Sequence, residues 1–256
     1  MIEYIILGII QGVLEWLPVS SQGMNTLAAT AMGMDVAYAA SIAIWLHIGT
    51  LCSAAVYFRR ELVGIFTEKE RKLLQILIVA TVLTGLIGGP LYLLFSDIFL
   101  AAAGELIIAF IGVMLIVSGL LQRKAKPAHR DEKDIKLKDM VITGIVQGFA
   151  ALPGISRSGT TTSSLLFLKF DSKSALRISF MMSIFAILAA EIGLGIVKGD
   201  EFVTDANALI GALFAFIFGL LTIGILMRVA ERVKFWKFLI IMGVLCLFSL
   251  LFLGLF

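Results

Sequence analysis

An all-α integral membrane protein is the fold class this sequence predicts, with six transmembrane helices and two re-entrant helical hairpins in an inverted-topology repeat. Composition is the first reason: 60% of the 256 residues are hydrophobic and only 15% charged, where a soluble domain has roughly 45–50% apolar residues. The second is length. Apolar stretches recur at 36–58, 73–95, 99–121, 172–197, 206–227 and 238–256, each near the roughly 20 residues a helix needs to cross the hydrocarbon core, and none alternates like a barrel strand. The third is an internal repeat. The segments GIIQGVLEWLPVSSQGMNT (8–26) and GIVQGFAALPGISRSGTTT (144–162) align without gaps at an offset of 136, with seven identities in nineteen positions, which points to a duplication.

Each copy begins with an apolar run, breaks at Gly and Pro, passes through a turn rich in Ser, Gly and Thr, and leads into three spans. The units read as 1–122 and 140–256, joined by a charged linker at 123–139. Interrupted apolar segments at matching positions of two halves mark a site at the membrane midplane. Non-helical backbone survives at that depth only where protein or a water-filled cavity satisfies it.

Positive charge decides whether these segments cross or turn back, because Lys and Arg accumulate in short cytoplasmic loops. If both are re-entrant, one side receives 19 Lys and Arg, from loops 59–72, 122–139, 169–177 and 228–237, and the other receives Lys198 alone. If both cross, the division is 13 against 7. The re-entrant arrangement follows, with both termini extracytoplasmic, the second half inverted, and the hairpins entering from opposite faces of a multi-pass plasma-membrane protein.

The N-terminus lacks a basic region ahead of its first apolar stretch, so no cleavable leader is expected. Cys52 and Cys246 lie in apolar runs and read as small buried hydrophobes, not a disulfide or metal ligands. The linker RKAKPAHRDEKDIKLKD mixes signs, which suits topology and anionic head groups and argues against nucleic acid as a partner. His129 lies within it and is expected in water.

Arg157 then stands out. A charge at the centre of a membrane helix costs about 2.5–3.5 kcal/mol on insertion scales, which makes it a functional candidate by default. Its partner is expected to be Glu15 on the opposite hairpin. After the break at Pro153 and Gly154 come Ser156, Arg157, Ser158, Gly159, Thr160, Thr161 and Thr162. Glycines let backbone amides approach an anion, hydroxyls donate to it, and a helix start adds positive dipole. The arginine fork suits two phosphate oxygens. The pattern points to a phosphate or diphosphate. On the first hairpin Gln11 and Glu15 are four apart and share a helix face, with Ser20 and Ser21 beyond the break. Glu15 suits a general base, activating Ser21 or a water. Gln147 is the counterpart of Gln11. His47 lies in the first span, where a lone histidine more often makes a packing hydrogen bond than carries protons.

These residues resemble the undecaprenyl-diphosphatase family, membrane phosphatases also associated with bacitracin resistance. QGVLEWLPVSSQG is similar to that family's first motif, LPGISRSGTT to its second, and the likeness extends through LHIGTL over essentially the whole chain. The resemblance implies removal of the terminal phosphate from a C55 isoprenoid diphosphate, regenerating the monophosphate carrier used in cell-wall glycan assembly. It also implies roles: Glu15 as acid, base or metal-assisting residue, Ser21 as nucleophile or phosphate ligand, Arg157 as stabiliser of the transferring phosphoryl group, and Ser156, Ser158 and Thr161 as phosphate partners. A divalent cation, Mg²⁺ or Ca²⁺, is an open option, as is a homodimer.

One position departs from the family pattern. The first motif usually ends Ser-Ser-x-Gly-His, and here Met24 stands at the histidine. Methionine neither shuttles a proton nor attacks phosphorus, and the adjacent Asn25 is no base. His47 is a substitute if its span packs against the hairpins. Otherwise the alternatives are a flippase for the phosphorylated carrier, which the inverted repeat also suits, or a lipid binder without turnover.

Overall fold

The computed structural model describes residues 1–67, 71–101, 104–124, 129–152, 155–198, 206–229 and 235–253. Among them the chain is helical, without a named strand, and the break expected at Pro153 and Gly154 lies outside the described residues. Helices α1 (Ile2–Leu14) and α2 (Ser21–Ala31) flank a turn at 15–20, and α8 (Leu137–Gly148) and α9 (Arg157–Phe167) form the corresponding pair. These arms have 13, 11, 12 and 11 residues. At about 1.5 Å per residue none reaches across a hydrocarbon core of about 30 Å.

Why helices start where they do is legible locally. Ser20 caps α2 by accepting from the Gly23 amide at 3.2 Å, and Ser156 caps α9 by accepting from the Gly159 amide at 3.1 Å. Asp35 caps α3 (Val36–Trp45) through the amides of Ala37 and Tyr38. Each supplies a partner to amides that have none within the helix. Gly33, at φ +87°, makes the turn between α2 and α3 that a side chain would strain.

The span expected at 36–58 is interrupted. Leu46 is a turn between α3 and α4 (His47–Tyr57), so His47 opens a helix instead of lying inside one. After α5 (Arg59–Phe66) come the long helices α6 (Arg71–Ala101) and α7 (Gly104–Lys124), and in the second half α10 (Ser172–Lys198), α11 (Ala206–Val229) and α12 (Phe235–Leu253). Four stretches, 36–57, 73–95, 172–196 and 206–229, are long and apolar enough to cross a membrane. Shorter apolar helices accompany them at 2–14, 112–121 and 239–248.

Packing is exchanged between the halves. Helix α1 lies along α11, α8 lies along α6, and α7 pairs with α12. Small residues permit it. A Cβ on Gly12 would stand 2.6 Å from the backbone nitrogen of Gly219, and one on Gly148, at the matching position of the repeat, 2.5 Å from Ile87 Cβ. Close backbone approach of this kind drives helix association where the hydrophobic effect between helices is weak. One core cluster joins Trp16, Phe58, Phe180 and Met227. Leu209, Leu213, Leu221 and Ile225 lie exposed along α11, as apolar side chains do where lipid is the solvent. Cys52 is likewise exposed, and not buried as expected, while Cys246 is half-buried and neither is paired in a disulfide. A lipid-facing surface removes the usual reason for a small apolar group to be inside.

The linker is tied down. Arg130 donates to Asp139 Oδ2 at 2.5 Å, to Leu168 O at 2.8 Å and to Asp134 O at 2.9 Å, with its guanidinium 4.2 Å from the Phe170 ring centre. His129 is exposed.

Candidate functional site

Trp16 fixes the first hairpin's break. Its ring is fully buried, its Nε1 donates to Gly219 O at 2.9 Å, and it meets Phe180 edge-on at 5.1 Å. This holds Glu15, one residue earlier, in a fixed direction. Gln11 lies one helical turn back and donates to Glu15 Oε2 at 2.9 Å, and Asn25 steadies Gln11 by donating to its Oε1 at 2.7 Å. Ser21, the first residue of α2, donates to the same carboxylate oxygen at 2.7 Å.

Arg157 reaches Glu15 from the second hairpin, pairing through Nη2 with Oε1, while its Nη1 donates to Ser179 O on α10 at 3.4 Å. Glu15 keeps 4% of its side-chain surface exposed and Arg157 16%. Ser21 and Arg157 stand 136 residues apart, one at the start of α2 and the other at the start of α9, and both bond to the Glu15 carboxylate. A second bond ties the hairpins: Ser158 Oγ donates to Leu17 O at 2.7 Å. Ser156 Oγ lies 3.2 Å from Ser158 Oγ.

His47 approaches from the α3–α4 junction, its Nε2 3.4 Å from Glu15 Oε2. Four side chains therefore converge on Glu15, Gln11 and Ser21 from its own hairpin and His47 and Arg157 from farther along the chain. A cavity of about 450 Å³ opens beside them, within the usual range for small-ligand sites. Its polar lining includes Glu15, Ser20, Ser21, His47, Ser156, Arg157, Ser158 and Gln147. Its remaining wall is mostly small and apolar, from Gly85, Gly88, Gly89 and Leu93 on α6 and Ala186, Ala190 and Leu194 on α10.

Other expected site residues sit differently. Thr160 Oγ1 donates to Ser156 O and Arg157 O, and Thr161 Oγ1 donates to Arg157 O and lies 2.5 Å from Ser179 Oγ. Gly159 uses its amide on the Ser156 cap. These three hold the first turn of α9 and do not line the cavity. Gln147 donates to Thr84 Oγ1 at 2.8 Å, and its buried Oε1 has no hydrogen-bond partner among the described residues.

Residues that sequence reasoning did not single out complete the picture. Ser179 anchors both Arg157 and Thr161. Glu191 on α10 lines the cavity with a buried oxygen, Oε2, that has no hydrogen-bond partner among the described residues. A carboxyl inside a predicted span was a usable signal for Glu191; nothing in the sequence marked Ser179.

Among the described residues no three His, Cys, Asp or Glu side chains group as metal ligands. Glu15 already accepts on both oxygens. A Mg²⁺ or Ca²⁺ ion here would draw most of its oxygen shell from a bound phosphate group and water.

Apolar helices with lipid-type exposed faces, closed around an arginine-bearing cavity, define a multi-pass membrane protein with an internal polar site. The chain belongs to the bacitracin resistance protein BacA family, whose profile matches residues 4–248. It is 44% identical to an undecaprenyl-diphosphatase of Methanococcoides burtonii, over 97% of both chains. It is 41% identical to one of Methanothrix thermoacetophila, over 96% of this chain and 95% of that one. A third, from Sulfurisphaera tokodaii, is 38% identical over 91% of this chain and 90% of its own.

Proposed function

We propose that this chain removes the terminal phosphate of undecaprenyl diphosphate or a related polyprenyl diphosphate, leaving the monophosphate lipid. The observation that carries the reading is the placing of Arg157 and Glu15, paired, on a cavity whose lining is otherwise largely apolar. The diphosphate head belongs at Arg157, Ser156 and Ser158, where the start of α9 adds positive dipole. The first isoprene units belong against the glycine- and alanine-rich walls of α6 and α10. Relatives that cover nearly the whole chain carry the name of that activity.

In this reading Ser21 is the nucleophile. Its hydroxyl already donates to Glu15 Oε2, which positions Glu15 to take the proton as Oγ attacks phosphorus. Arg157 moves from Glu15 onto the transferring phosphoryl oxygens, where charge stabilisation supplies most of the catalysis. Gln11 orients Glu15. Gly159, Thr160 and Thr161 keep the α9 start rigid, and Gln147 with Thr84 closes the other side.

The short arms support two re-entrant hairpins, and the exchanged packing of α1 on α11 and α8 on α6 supports an inverted repeat with units 1–122 and 140–256. The cavity runs along α6 from Thr81 to Leu93 and along α10 from Ala186 to Leu194, away from the basic loops that precede both helices. By the positive-inside rule its mouth then faces the extracytoplasmic side, where both termini also lie.

Phosphate release from a C55 diphosphate by the purified, detergent-solubilised protein tests the reading, with and without Mg²⁺ or Ca²⁺. Wild type releases phosphate and Arg157→Ala does not. Equal rates from the two would remove Arg157 from the mechanism.

A further inference from the structure

His47 occupies a position whose use is set by its two nitrogens. Nδ1 lies 2.8 Å from Ala43 O and 3.0 Å from Ile44 O. Both partners are carbonyl acceptors, so Nδ1 carries a hydrogen and donates it. This leaves Nε2 as the exchanging nitrogen, and Nε2 is the atom that faces Glu15 Oε2 at 3.4 Å. The two atoms stand close enough for a proton to pass between them with a small movement of either side chain. The two carbonyls belong to the last turn of α3, three and four residues before His47, so the imidazole is held against the helix that precedes it.

His47 also lines the cavity, with 18% of its side chain exposed, whereas Glu15 keeps 4%. The imidazole is thus the more open member of the pair. Other charged or titratable groups on this cavity are Arg157 from α9, Tyr92 from α6 and Glu191 from α10. Helix α11, packed on α4, presents Ala212 and Ala215 to Gly49.

We propose that His47, through Nε2, is the proton-transfer residue of this site and does the work for which the chain has no histidine at position 24. The proposal rests on the phosphatase reading and deepens it. As Ser21 Oγ bonds to the terminal phosphorus, the bond from phosphorus to the bridging oxygen breaks, and that oxygen leaves with the electron pair on the prenyl monophosphate. The Ser21 proton passes to Glu15 Oε2 and on to His47 Nε2, so Glu15 returns to its anionic form. In the second half a water oxygen bonds to phosphorus and the P–Oγ bond breaks. One water hydrogen stays on the departing phosphate and the other restores the Ser21 hydroxyl. Hydrolysis releases one proton overall, and His47 delivers it to the cavity.

The test is phosphate release from a C55 diphosphate by wild type, His47→Ala and His47→Asn across pH, with and without added imidazole. General acid–base groups contribute typically about 10²–10⁴-fold. Both variants are expected to lose about 10²-fold in kcat with KM within about threefold, and to lose the acid limb of the wild-type pH profile. Imidazole is expected to restore His47→Ala at least about tenfold, in proportion to its concentration. His47→Asn keeps a donor for the Ala43 and Ile44 carbonyls, so a wild-type kcat in that variant would make the role structural and overturn the proposal. So would slow variants that imidazole does not accelerate and whose pH profile keeps its shape. A wild type that releases no phosphate would instead overturn the phosphatase reading, and the proposal with it.

Discussion

Among the described residues, two arginine–carboxylate pairs have a buried carboxylate, and their surroundings differ. Asp139 is fully buried and Arg130 26% exposed; three acceptors and the Phe170 ring take up the guanidinium. Asp139 in turn accepts the Lys136 amide at 2.9 Å, so the pair joins the linker to the start of α8 and the end of α9. Arg157 and Glu15 are paired as closely, yet they border a 450 Å³ cavity and share it with Ser21, His47, Ser156 and Ser158. Burial and charge alone do not mark a site. What separates the second pair is open volume beside it and the Ser21 hydroxyl and His47 imidazole facing the same carboxylate.

The largest effect expected from this contrast is on turnover. Arg157→Ala should lower kcat for phosphate release by about 10³-fold, in the range for removal of one charge-stabilising donor, while Asp139→Asn should leave kcat within about threefold. Equal losses in the two variants would break the comparison. Stability should show the reverse order. Removing one partner of a buried pair leaves an uncompensated charge, which costs about 3 kcal/mol or more. Arg130→Ala should therefore lower the thermal midpoint in detergent well below that of Arg157→Ala, whose partner keeps the bonds from Gln11 and Ser21.

A smaller effect separates the two helices that carry the carboxylates. Overpacking typically costs about 1–3 kcal/mol, so Gly12→Ala and Gly144→Ala should destabilise similarly, against α11 and α6 respectively. Only Gly12→Ala should also lower kcat, because Gln11 and Glu15 ride on the helix it displaces; unchanged kcat in both would show that the break at Glu15 absorbs the shift. The smallest effect concerns Glu191. Its unpartnered oxygen in a largely apolar wall is a cost, so Glu191→Met should raise the thermal midpoint by about 1 kcal/mol equivalent and leave phosphate release within about twofold. A large loss of turnover would give Glu191 a role in the chemistry.

Much of the site was readable because it is local or repeated. Gln11 meets Glu15 because four residues make nearly one helical turn. Ser20 and Ser156 cap α2 and α9 because a hydroxyl three residues before a glycine amide does so wherever a helix starts. Even the pairing of Glu15 with Arg157, 142 residues apart, was legible, since a charge at membrane depth needs an opposite charge and each segment carries one. The threonines were read less well. A hydroxyl in a motif does not reveal whether it faces the ligand or its own backbone, and Thr160 and Thr161 bond to the backbone of Ser156 and Arg157.

Sequence by itself determined the solvent, the helices, the duplication and the two motifs, because hydropathy, capping and periodicity act over a few residues. Tertiary structure alone decided that the first span breaks at Leu46 and turns His47 Nε2 onto Glu15, that Ser179 holds Arg157, and that α6 and α10 leave a cavity lined by Glu191. Those outcomes depend on how closely helices approach and at what rotation. Glycines facing backbone across α1 and α11 and across α8 and α6 set that approach, and no spacing along the chain encodes it.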